Sequence, residues 1–153
     1  MPRDPEGTLN RIEHQHHLRI GLVENPPWVI RSAGEPLGIE PQMVRDFASS
    51  LGASPEWHWG SEQEHMEALD AYELDLVIGG IESSTPWSKK VGLTRPYLQE
   101  QDAPGAESRK KRTRSHVIAT PPGENAWLKR LQEFLKQENG RTRELLQQMG
   151  AKP

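Results

Sequence analysis

The sequence has no cysteine among its 153 residues, which removes disulfides, thiolate zinc sites and thiol nucleophiles and leaves the redox compartment open. Apolar residues are scarce, 33% in all with only 6% aromatic, and no stretch approaches the roughly 20 consecutive apolar residues that cross a bilayer. No membrane-inserted element is expected. Residues 1–10 carry acids and prolines where a secretory signal would be apolar, so an export signal is expected to be absent from this chain. An excess of one charge is lacking as well. The 19 basic and 22 acidic residues are interspersed and give a net charge of −3, with no global field suited to nucleic acid.

Catalytic signatures are missing too. Gly79-Gly80 lacks the further glycines of a dinucleotide fingerprint, and Ser83-Ser84-Thr85 has neither a Gly-x-Ser-x-Gly turn nor a motif assigning a base. These hydroxyls read as helix caps. His14, His16 and His17 are closely spaced but lack a carboxylate or cysteine framework in a fixed element, and read as an exposed turn. His58 and His65 read as solvated positions. No catalytic residue, metal site or cofactor is therefore expected.

What is present fits one domain of ordinary size. Residues 18–23 (LRIGLV) alternate as a strand and stop at Pro26-Pro27. Residues 28–30 and 37–39 flank a turn-rich segment and predict a short hairpin. From Pro41 the apolar positions Met43, Val44, Phe47, Ala48 and Leu51 share one helical face, with Gly52 placed to end the helix. Residues 55–59 (PEWHW) read as a strand. Ser61 and Glu64 then have the spacing of a capping box, opening a helix that buries Met66, Leu69 and Tyr72. The apolar run 74–81 (LDLVIGGI) suits a strand covered on both faces. Two strand-helix-strand units in succession imply right-handed crossovers and a parallel sheet.

Residues 99–115 (QEQDAPGAESRKKRTRS) contain almost nothing apolar, and the basic cluster from Arg109 to Arg114 repels itself. The segment reads as a flexible basic linker. One more strand is expected at 116–120 (HVIAT), then a helix capped by Asn125 that buries Leu128, Leu131, Phe134 and Leu135, and after Gly140 a short helix carrying Leu145, Leu146 and Met149.

In order, LRIGLVENPPWVI, GEPLGIEPQMVRDFASSLG, the acid-capped helix and ELDLVIGGIESSTPWSKKVGLTRPY resemble the first lobe of the family 3 solute-binding proteins of polar amino acid ABC transporters. HVIATPPGENAWLKRLQEFLKQENGRTRELLQQMG resembles the segment by which such proteins return to that lobe. The resemblance implies an α/β three-layer sandwich, a single lobe of a type II periplasmic binding protein. Its twisted sheet would be mostly parallel, with one antiparallel return strand beside the strand at 76–81. The organisation expected is a flexible segment over 1–17, one lobe built from 18–98 and 116–150, and the linker 99–115 in place of the second lobe. Removing a domain inserted through a hinge can leave its host intact. The resemblance further implies a periplasmic or extracytoplasmic origin, a small polar solute as ligand and a transporter permease as a possible partner. A related domain occurs in some peptidoglycan-cleaving proteins.

Ligands of open parallel sheets lie outside the carboxyl ends of the strands, which selects residues 24–28 and 80–87. By resemblance, an aromatic near Trp28 stacks on the solute, and groups near Gly80, Glu82 and Ser84 hold its amino group. The arginine that clamps the ligand carboxylate in the family is replaced by Trp87, or by Ser88 with a one-residue shift. Glu24 and Glu82 beside Trp28 and Trp87 then favour a cationic solute through charge and ring quadrupole. The same residues also fit a plain structural role, with both tryptophans covering the sheet end and both glutamates solvated. A lone lobe leaves one side of a solute wet, so binding is expected to be weak or vestigial, no tighter than roughly millimolar, about −4 kcal/mol. The other expectation is a protein-interaction or sensory domain that forms a homodimer through the face left by the missing lobe.

Overall fold

A computed structural model of the chain describes residues 2–101, 113–138 and 148. Along the chain run α1 (Thr8–Gln15), β1 (His17–Leu22), α2 (Ile39–Ser50), β2 (Ser54–Trp59), α3 (Glu62–Asp70), β3 (Leu76–Ile78), β4 (Gly92–Leu93), β5 (Leu98–Gln101), β6 (Thr113–His116), β7 (Ala119–Thr120) and α4 (Asn125–Gln137). One sheet has the order β2-β1-β3-β7-β4, and β5 pairs with β6 in a separate two-stranded ribbon. The pairs β1–β2 and β1–β3 are parallel, whereas β7 lies antiparallel to both β3 and β4. The mostly parallel sheet with one returning antiparallel strand is thus the observed topology.

Side-chain alternation explains the three layers. Leu18, Ile20, Leu22, Leu76, Ile78 and Ile118 bury toward a core shared with α1, α2 and α4. Val77, Val117 and Ala119 face the other way, onto Met66 and Leu69 of α3. Gly21 falls on this second face, where a Cβ would stand 2.7 Å from the His65 ring. Glycine here lets α3 approach the central strand closely. His65 is accordingly buried rather than solvated, with Nε2 at 3.2 Å from the Leu22 carbonyl oxygen, and burial pushes its pKa down.

Ser61 caps α3 as its spacing predicts, accepting the Glu64 amide at 3.1 Å. Ser61→Ala is expected to cost about 1 kcal/mol, read as a lower urea midpoint with unchanged slope. Tyr72 departs from expectation: it lies beyond the helix at φ 60 and is half-buried, its hydroxyl donating to the Pro122 carbonyl at 2.9 Å. Helix α2 begins two residues before Pro41, and the expected hairpin reduces to a single bridge between Ile30 and Leu37.

The stretch 1–17, expected as flexible, carries α1, whose Ile12 is fully buried. Polar anchors explain the difference. Asp4 Oδ1 accepts the Trp127 amide at 2.9 Å, while the buried Glu124 accepts the Thr8 amide at 3.2 Å and the Thr8 hydroxyl at 2.6 Å. The N-terminal segment and α4 therefore cap each other, and Asn125 is the first helical residue rather than the cap. Arg11 and Arg19 also pair with Asp75, whose side chain is fully buried, the Arg19 contact measuring 3.0 Å.

Part of the linker expected over 99–115 is strand instead, because Leu98–Gln101 pairs with Thr113–His116, and residues 102–112 lie outside the described residues. Backbone hydrogen bonds along the ribbon need no apolar side chains, so composition does not reveal it. The return segment docks as expected. Trp127 donates its indole N–H to the Asp75 carbonyl at 2.9 Å and packs against Phe47. It is fully buried with Leu131 and Leu135, whereas Leu128 and Phe134 are only partly covered. The helix expected around Leu145, Leu146 and Met149 lies outside the described residues, apart from Gln148.

Candidate functional site

The loops leaving β1 and β3 meet at the carboxyl end of the sheet, where the sequence places the candidate ligand residues. Asn25 joins them, its Nδ2 donating to the Gly79 carbonyl at 2.8 Å. A Cβ on Gly79 would come within 2.7 Å of Val23 Cβ, and Gly80, at φ 66, would meet Asn25 Nδ2 at 2.6 Å and Trp28 Cδ1 at 2.7 Å. Both glycines are thus required by close approach, and Gly80 also by its left-handed backbone.

Six residues are the candidates, and the structure distributes them unequally. Trp28 is only 6% exposed and its ring stacks on His116, centroids 3.8 Å apart. It forms the floor of the sheet end more than an open platform. Glu24 and Ser84 are exposed, Glu82 is half-buried and forms an antiparallel bridge with His116, and Gly80 is buried. Trp87 is half-buried against the cluster containing Met66 and Val91, with the Lys90 ammonium 6.0 Å from its ring centre. Thr85, rather than Ser83 or Ser84, caps the short 3-10 turn Pro86–Lys89, accepting the Trp87 amide at 3.4 Å.

The residue that sequence reasoning missed is Glu40. Its carboxylate is fully buried, with Oε1 accepting both the Gly79 and the Gly80 amides at 2.9 Å. Oε2 accepts the Tyr97 hydroxyl. Burial raises its pKa from 4.5 to about 7, against the three hydrogen bonds, which favour the charged form. An acid in the first turn of a helix looks in sequence like an ordinary favourable dipole partner. The available signal was its position directly before Pro41, on the apolar side of α2. His116 reaches the same turn from the opposite side, with Nδ1 at 3.3 Å from the Gly80 carbonyl.

No group of three or more His, Cys, Asp or Glu among the described residues is arranged to hold a metal. The rim of the sheet offers backbone groups, hydroxyls and carboxylates. No described helix is long and apolar enough to cross a membrane.

The bacterial extracellular solute-binding proteins, family 3, match this chain over residues 18–151. Among solved structures, an ancestral cationic amino acid solute-binding protein superposes with a TM-score of 0.80 at 15% identity, covering 93% of this chain and 99% of that one. The arginine-bound form of domain 1 from TmArgBP, of T. maritima, gives 0.69 at 21% identity, covering 83% and 97%. At such identities the likeness is one of fold. Membrane-bound lytic murein transglycosylase F of Vibrio cholerae is 26% identical over 101 residues, 64% of this chain and 19% of that protein. The chain thus spans about a fifth of the length of the curated relatives it matches.

Proposed function

This chain belongs to the bacterial extracellular solute-binding proteins, family 3, and from that premise we propose that it is a non-catalytic module binding a small cationic or amine-bearing solute outside the cytoplasm. The observation that carries the reading is the pairing of two ligand loops, tied by Asn25 to Gly79, that bring Glu24, Glu82 and Ser84 to the sheet end with Trp87 where the resemblance places a carboxylate-clamping arginine. A site with carboxylates and no arginine at that place selects for positive charge and does not reward a ligand carboxylate. The arginine-bound domain 1 from TmArgBP supports the idea that a single lobe of this fold holds a cationic ligand.

In this reading Glu82 and Glu24 meet the cation, Ser84 and the turn at Gly80 supply hydrogen bonds, Trp87 offers the face of its ring and Trp28 supports the floor. Affinity remains about millimolar, because half of a cleft leaves the solute partly hydrated. The test is titration of the monomer with arginine and with its decarboxylated analogue agmatine. At a tenfold excess over Kd, either should stabilise the fold by about 1.4 kcal/mol, read as a rise in Tm. Agmatine should bind at least as well as arginine, and Glu82→Gln should weaken both by about fivefold. An unchanged Tm with both compounds up to tens of millimolar, or a clear preference for glutamate, rejects the reading.

A second reading is favoured by the short coverage of the curated relatives: the module serves as a sensory or interaction domain, including self-association through the ribbon face. Sedimentation over a concentration series distinguishes it, since a stable dimer without any solute effect on Tm supports interaction.

A further inference from the structure

The turn at Gly79 and Gly80 is held from two sides by residues at the base of the ribbon. Tyr97 immediately precedes β5 and donates to Glu40, which in turn holds both glycine amides. His116 ends β6 and lies with Nδ1 at 3.3 Å from the Gly80 carbonyl, while its own carbonyl accepts the Tyr97 amide at 3.0 Å. Hydrogen bonds thus close a ring that runs through Tyr97, Glu40, the glycine turn and His116. The ring is buried: Glu40 is fully covered, His116 is 3% exposed and Tyr97 is 7% exposed. Water cannot readily replace a lost member, so each bond depends on the others remaining in place.

We propose that Glu40 is a positioning residue that couples the base of the β5–β6 ribbon to the ligand turn, so that the glycine amides are correctly aimed only while both ribbon strands are docked. Displacement of either described strand, Leu98–Gln101 or Thr113–His116, then reaches the solute loop through Glu40 on one side and His116 on the other. Glu40 does not touch solute. It fixes the Gly79 and Gly80 amides from beneath, and Tyr97 fixes Glu40. The functional consequence for solute rests on the binding reading above, but the coupling itself concerns the protein alone.

Amide hydrogen exchange measured residue by residue on the full chain tests the coupling without any solute, so its failure and the failure of solute binding are separate results. In Tyr97→Phe the ring stays and only the hydroxyl is lost. Neither glycine amide bonds to Tyr97, yet both are expected to exchange about tenfold faster, together with the β5–β6 amides, while β1 and β2 keep their rates. Glu40→Gln retains an acceptor for the glycines and a polar partner for Tyr97. It should stay within about threefold of wild type, whereas Glu40→Ala should release turn and ribbon alike. In the wild type the two glycine amide resonances should titrate with a midpoint of about 7, and in Glu40→Gln they should not. The proposal is overturned if Tyr97→Phe loosens the ribbon and leaves Gly79 and Gly80 at wild-type rates. Equal acceleration of β1 and β2 also counts against it, because that reports general unfolding.

Discussion

Trp127→Ala is expected to destabilise the fold by about 4 to 5 kcal/mol, enough to leave much of the population unfolded if the domain has the usual 5–15 kcal/mol to lose. The side chain is among the largest that are fully buried. It fills the space beside Phe47, ring centres 5.4 Å apart, and donates to the Asp75 carbonyl. Truncation would leave both a cavity and an orphaned carbonyl, and the two costs add because neither can be relieved by water entering a dry site. Trp127→Phe, which keeps most of the volume and removes the donor, should cost about 1 to 2 kcal/mol. Urea unfolding followed by circular dichroism gives both values. A loss below about 1.5 kcal/mol for Trp127→Ala would mean that α4 is not part of the same cooperative unit as β3, and the single-lobe description would fail with it.

Stability should also fall as pH rises from about 4.5 to about 7, by about 3 kcal/mol attributable to Glu40. The sign follows from which state holds the proton more tightly. Burial raises the native pKa above that of the unfolded chain, so across this window the native state carries more bound protons than the unfolded state. The contribution is complete below the unfolded pKa and is gone above the folded one. His65 acts in the opposite direction, since burial lowers its pKa and its contribution is lost as pH falls. The wild-type profile is therefore a composite. Subtracting the profile of Glu40→Gln isolates the carboxylate, and a difference curve that is flat from about pH 4.5 to about pH 7 would show that Glu40 is not buried as described.

The fold was legible where burial leaves a periodic mark. The face of α2 containing Met43, Val44 and Phe47, the apolar run 74–81 and the capping pair Ser61 and Glu64 are all local patterns. A helix formed at the first and third, and a strand, β3, formed within the second but only over Leu76–Ile78. Helix α1 was not legible, because its mean character is polar and what holds it comes from Glu124 and Asp75, far away in sequence. The ribbon was hidden for a similar reason. Its strands are joined by backbone bonds whose partners no composition reports. At the site, the loops could be chosen from the strand order alone, and the glycines behave as close approach requires. Glu40 and His116 escaped notice because the partners that hold a buried polar residue lie far away in sequence, and for Glu40 the one local sign was its place before Pro41 on the apolar side of α2.

The mutual capping of the N-terminal segment and α4 has a consequence for how the molecule is made. During synthesis, Asp4 and Thr8 leave the ribosome well before Glu124 and Trp127, so the acids that finish each helix start arrive far apart in time. Closing so long a loop costs entropy that is recovered only once the start of α4 has been made. Until the first turn of α4 has emerged, α1 therefore lacks its cap and the space that Trp127 fills stays open, within reach of chaperones and proteases.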